Sequence, residues 1–138
     1  HSNQDDTVGS SVEWSVLEDH ALIALSDVSP VQQLVQSAVK RHNVKVRCAM
    51  TVSHLETAVA LAERGMGVTV IPSFATAVCR RFKVNVARLQ PPVRFNYCRI
   101  VKMGRPPNEN LEYFTNLVID RLRETETPWI VRARVHES

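Results

Sequence analysis

The stretch from Ser53 to Ser73, SHLETAVALAERGMGVTVIPS, sets a helix signal, two glycines and a short apolar run in immediate succession. Ser53 and Glu56 have the spacing of a capping box, in which the serine oxygen accepts from the Glu56 amide and the glutamate reaches back. Leu55, Ala58, Val59 and Ala62 fall on one helical face. Gly65 stands where a left-handed residue ends a helix, and Gly67 leads into Val68–Ile71, a strand that Pro72 stops. A helix that passes so quickly into an apolar strand predicts the crossover unit of an α/β protein.

The flanking sequence extends this unit in both directions. Ala21–Leu25 is apolar at every position, as in a central strand of a parallel sheet, and Trp14 and Leu17 before it mark a short amphipathic turn. Ser29 offers an N-cap oxygen and Pro30 suits the first helical position; Val31, Leu34, Val35, Ala38 and Val39 then form one stripe up to Arg41-His42-Asn43. Residues 44–51 alternate, with Val44, Val46, Cys48 and Met50 on the buried side. The order strand, helix, strand, helix, strand, with right-handed crossovers, gives a mostly parallel sheet flanked by helices. After Pro72 the pattern predicts a short helix over 74–81, a strand over 83–89, a long strand over 94–104, and a helix from Asn108 with Leu111, Phe114, Leu117, Val118 and Leu122 inward. The tail, residues 125–138, alternates from Trp129 onward; a strand added to a sheet edge and a disordered tail both fit it.

Composition narrows the function classes. The 138 residues, 44% hydrophobic and 22% charged, suit one domain with a modest core. Net charge is +3, but the basic residues are scattered and not interleaved with aromatics, so a solvated surface explains them better than a nucleic-acid face. Cys48, Cys79 and Cys98 form no C-x-x-C pair and read as core residues of a reducing compartment. Cys98 as a redox sensor is the weaker reading. His20, His42 and His54 lie on separate elements and His1 and His136 in the tails, so no metal site is expected, and no cofactor motif is present. Neither a membrane-length apolar run nor a signal peptide is visible, which points to a cytoplasmic protein. Residues 1–13 open without methionine and read as a tag remnant and flexible lead-in, with a coding frame expected to extend upstream. A nucleophile elbow, phosphate loop, dinucleotide fingerprint and paired-acid motif are all missing, so no catalytic residue is assigned and the expectation is a non-enzyme.

The runs WSVLEDHALIALSDVSPVQQLVQSAV and VRCAMTVSHLETAVALAERGMGVTVIPSFA, followed by VNVARLQPPVRFNYCRIVKMGRPPNENLEYFTNLVIDRL, resemble the second half of the effector-binding domain of LysR-type transcriptional regulators. The resemblance spans residues 14 to about 122. It implies a fold like the type II periplasmic binding proteins, two α/β subdomains facing across a cleft. Residues 14–93 would be the second subdomain, and 94–124 the returning crossover strand and last helix of the first. The rest of the first subdomain and the DNA-contacting N-terminal winged helix-turn-helix would lie outside this chain. The last helix, deprived of its usual support, is expected to self-associate or move, and a homodimer or higher oligomer is implied.

In such a sheet small ligands gather beyond the carboxyl ends of the strands, where helix N-termini converge. Those ends supply the candidate effector-binding residues: Ser26, Asp27 and Ser29; Thr51 and Ser53; Pro72 and Ser73. Ser29 and Ser53 also read as helix caps and Pro72 as a strand stop, whereas Ser26 and Thr51 have no evident cap duty. By resemblance, the position of Ser26 touches bound effector in several family members. Hydroxyls beside helix amides suit an organic acid or another small polar metabolite; Asp27 would oppose an anion and either reads an amine or hydroxyl or points away. Two function classes follow: the effector-sensing part of a LysR-type regulator, with ligand shifting the regulator's state on DNA, or a solute-binding protein of the same fold.

Overall fold

The computed structural model describes residues 8–94, 98–123 and 129–133. In chain order these form β1 (Val8–Glu13), a 3-10 turn (Trp14–Asp19), β2 (Ala21–Leu25), α1 (Pro30–Arg41), β3 (Arg47–Val52) and α2 (Leu55–Glu63). There follow β4 (Thr69–Ile71), a 3-10 turn (Ser73–Ala75), α3 (Thr76–Cys79), β5 (Val84–Gln90), α4 (Glu109–Arg123) and β6 (Trp129–Ala133).

The strands make a four-stranded sheet, β1-β5-β6-β4, and a pair, β2-β3. A parallel bridge between Leu22 and Val68 joins the two, giving the continuous order β3-β2-β4-β6-β5-β1. All pairings are parallel except those of β6, which runs antiparallel to both neighbours. Strand residues alternate between two cores. On one face Ile23, Leu25, Ile71, Val84, Val86 and Val131 pack with Ala58, Val59 and Ala62 of α2 and Cys79 of α3. On the other, Leu22, Ala24, Val68, Val70, Leu89 and Ile130 pack with Trp14, Leu17 and Val35 and Ala38 of α1. This two-sided burial explains why β2 and β4 are apolar at consecutive positions.

The helices α1 and α2, on opposite faces of the sheet, end alike. His42, Asn43 and Val44 after α1 donate to Ala38, Lys40 and Val39, with Asn43 at φ 53°. Arg64, Gly65 and Met66 after α2 donate to Ala60, Ala62 and Leu61, with Gly65 at φ 74°. These are Schellman closures, and Gly65 fills the left-handed position its sequence context called for. Gly67 has a separate duty. A Cβ there would lie 2.3 Å from the Ala21 carbonyl oxygen, at the point where the Val68 amide donates to that oxygen and the Ile23 amide to Val68.

Several sequence expectations change. Residues 8–13, read as lead-in, form strand β1 paired to β5; residues 1–7 lie outside the described residues. The long strand expected over 94–104 is not formed at residues 94 and 98–104, which have no strand partner; 95–97 are not described. The tail strand β6 enters the middle of the sheet instead of an edge, because β4 and β5 leave a gap one strand wide and Ile130 and Val131 can bury on opposite faces. Residues 124–128 and 134–138 of that tail lie outside the described part. The expected capping box is not formed: His54, not Ser53, is the N-cap of α2, no side chain makes a cap bond, and Glu56 lies 3.6 Å from Arg81 instead. Ser29 is the N-cap of α1, but its hydroxyl makes no cap bond.

Gly67→Ala is expected to destabilise the domain by roughly 2 kcal/mol or more, since backbone must shift to admit the methyl. Gly65→Ala, with open space around it, costs about 1–2 kcal/mol for its left-handed backbone alone. Urea midpoints of the two variants should rank in that order.

Candidate functional site

Parallel registers bring three strand ends to one edge of the sheet. Leu25 of β2 is level with Val52 of β3, and the bridge at Leu22 and Val68 sets β4 beside them. The Ser26 amide donates to the Val52 carbonyl at 3.0 Å, so the segments leaving β2 and β3 start side by side. Ser26, half-buried, also accepts from the Ser29 amide at 2.8 Å through its carbonyl, turning the chain into α1.

The other candidates are distributed around that turn. Asp27 is exposed; its backbone carbonyl accepts from Gln33 Nε2, and its Oδ1 accepts from Gln36 Nε2 at 3.0 Å. Its carboxylate is therefore engaged along the flank of α1. Ser29 is half-buried, and Thr51 and Ser53 are exposed. Thr51 Oγ1 lies 3.9 Å from the Cys48 sulfur. Just after β4, Pro72 is fully buried and accepts from the Ala75 amide, and Ser73 is 8% exposed with its carbonyl taking the Thr76 hydroxyl.

Gln32 is the residue that sequence reasoning missed. It is buried in the first turn of α1, and its Oε1 accepts from the Leu25 amide at 3.1 Å. That bond fixes the end of β2 against the helix and so sets the entry to the Ser26–Ser29 turn. The visible trace was the polar Gln32 beside Val31 in an apolar stripe, followed by Gln33 and Gln36 on the Asp27 side.

A cavity of about 350 Å³ lies elsewhere, lined by Glu13, Trp14, Ser15, His42, Val44, Gln90 and Pro91, and includes none of the candidate residues. Trp14 forms part of its wall, donating to the Pro91 carbonyl at 2.9 Å and lying nearly parallel to the His42 ring. Among the described residues no group of three or more His, Cys, Asp or Glu is placed to hold a metal ion, and no helix is long and apolar enough to cross a membrane.

The cysteines divide. Cys79 is buried, and burial pushes its thiol up to about 11. Cys48 and Cys98, expected in the core, are exposed. A register irregularity between Leu22 and Ile23 pairs them with Cys48 and Met50, leaving Ala49 as the extra residue. This breaks the alternation expected on β3. Cys98 sits in the unpaired segment, which has no sheet to bury it.

Two outcomes follow. Gln32→Leu leaves the Leu25 amide buried without a partner and should cost about 1–3 kcal/mol in chemical denaturation. An aromatic disulfide reagent at pH 8 should label two thiols of the native chain quickly, with Cys79 reacting only on unfolding; mass mapping identifies them.

Residues 6–123, most of the chain, match the family described as LysR substrate binding domain. No curated protein and no solved structure matches it significantly. The family's type II periplasmic-binding-like fold agrees with the mixed α/β, mostly parallel architecture found here. The chain therefore belongs to the LysR substrate-binding domain family, whose members bind small-molecule effectors within transcriptional regulators.

Proposed function

We propose that the chain is the effector-sensing part of a cytoplasmic, homo-oligomeric LysR-type regulator. Residues 14–93 act as its second subdomain and α4 as the last helix of its first. It binds a small polar metabolite, such as an organic acid, without converting it. Contact with DNA belongs to a winged helix-turn-helix elsewhere in the regulator.

The observation that carries this reading is the convergence of the β2, β3 and β4 ends at one sheet edge, with α1 and α2 starting beside it. Ser26, Asp27, Ser29, Thr51, Ser53, Pro72 and Ser73 line or support that edge. The hydroxyls of Ser29 and Ser53 are not spent on caps, which leaves them available to a ligand. Effector held there bridges to the facing subdomain, and preferential binding to the closed arrangement shifts the regulator's population on DNA.

A thermal-shift panel of small organic acids and neutral metabolites tests this. One compound class should raise the midpoint in a saturable way, as binding to the native state alone requires. Ser26→Ala or Thr51→Val should each weaken that compound about 3- to 10-fold, the equivalent of one hydrogen bond. Recovery of a chemically altered compound after long incubation would count against a sensor.

A further inference from the structure

The cavity beside Trp14 is assembled from three segments far apart in the chain. Parallel pairing of β1 with β5 sets Glu13 level with Gln90, and the residues that follow each strand add Trp14, Ser15 and Pro91 to the wall. His42 and Val44 come from the closure after α1, where their amides donate to Ala38 and Val39. Trp14, 2% exposed, ties these segments together: its indole N–H donates to the Pro91 carbonyl, and its ring lies 6.2 Å from that of His42 at an interplanar angle of 11°. The wall is thus built without a ligand. Among the described residues the side chains of Glu13, Ser15, His42 and Gln90 make no hydrogen bond or ion pair. Unspent polar groups beside the apolar surfaces of Trp14, Val44 and Pro91 are the composition of a small-molecule site.

We propose that this cavity is a second ligand site, separate from the strand-end edge, for a small primary amine carried on an apolar ring. Its volume, about 350 Å³, is at the lower end for small-molecule pockets, which limits the occupant to about one ring system with a short substituent. The charge of the occupant follows from the wall. Glu13 is its carboxylate, and no lysine or arginine lines it; Arg41 and Lys45 flank His42 and Val44 in the chain without entering it. An ammonium gains a charge-assisted bond to Glu13, whereas an anion meets a like charge. The three ammonium protons find three acceptors in the Glu13 carboxylate, the Ser15 hydroxyl and the Gln90 side-chain carbonyl. The ring then covers Val44 and Pro91. None of the strand-end candidates borders the cavity, so its occupant does not depend on theirs.

Benzylamine, benzyl alcohol and benzoate test this, because they share a ring and differ in charge. The readout is the Trp14 indole N–H resonance of the isotope-labelled chain; the sequence has two tryptophans, so it is the indole line that persists in Trp129→Phe. Benzylamine should move that line saturably with a Kd of about 1 mM, ordinary for so small a molecule. Benzyl alcohol and benzoate should each bind about tenfold more weakly or worse, having lost the charge-assisted bond. Glu13→Gln should remove the preference of benzylamine over benzyl alcohol, and Ser15→Phe, at an exposed position, should fill the cavity and abolish the shift. Ser26→Ala and Thr51→Val should leave benzylamine binding unchanged. An indole line that stays still up to about 20 mM benzylamine overturns the proposal. So does a line that benzoate moves equally well, or undiminished benzylamine affinity in Glu13→Gln.

Discussion

The whole sheet depends on a seam two residues long. Between β2 and β4 the backbone exchange is carried by Val68, which donates to Ala21 and accepts from Ile23, and the buried Thr69 hydroxyl adds a bond to the Ile23 carbonyl at 2.9 Å. Among the described residues β3 is tied to the rest of the sheet only through β2, and β6, β5 and β1 lie beyond β4. The approach is close enough that only a residue without a side chain fits at Gly67. The short seam is supported from both faces: Ile23 packs among α2 residues and Leu22 among those of α1. Helices on each side therefore do what a longer ladder of strand bonds does elsewhere.

The same economy shapes the candidate site. Two helices start at the strand ends, but neither is closed by the serine in front of it. The fixed point is the bond from the Leu25 amide to Gln32, which lies inside the helix and behind the turn. Geometry at the edge is thereby set from the core, and the exposed hydroxyls in front of it carry little structural burden. This separation lets pocket residues vary while the scaffold is kept, because the groups that hold the turn are not those that face solvent.

Legibility in the sequence followed the range of the interaction. α1, α2, β2, β4 and β5 were readable because their signals are local: apolar stripes, a left-handed residue after the helix, an unbroken apolar run. Gly65 illustrates this, since its duty involves only the four residues before it and the one after. The readings that changed all turned on partners distant in the chain. Residues 8–13 carry no strong strand pattern and become a strand through β5. Residues 98–104 carry one and have no neighbour to pair with. Met50, expected on the side of Val44 and Val46, is turned to the opposite face by an extra residue opposite β2 that no alternation count reveals. Gln32 was hidden for the converse reason: a buried amide in a helical stripe looks like a lapse in the pattern until its partner, seven residues earlier, is known. At the site, the strand ends could be named from sequence, whereas the engagement of Asp27 by Gln36 required the helix in place.

The position of β6 also bears on how the protein is made. A chain leaving the ribosome presents its N-terminal segments first. Here β4 and β5 emerge with a strand-wide gap between them, and the residues that fill it, Trp129–Ala133, follow only after α4. Until they emerge neither apolar core is complete, since one lacks Val131 and the other Ile130. Up to that point the nascent sheet carries two unpaired inner edges. The arrival of β6 therefore completes both cores in one step, not one after the other.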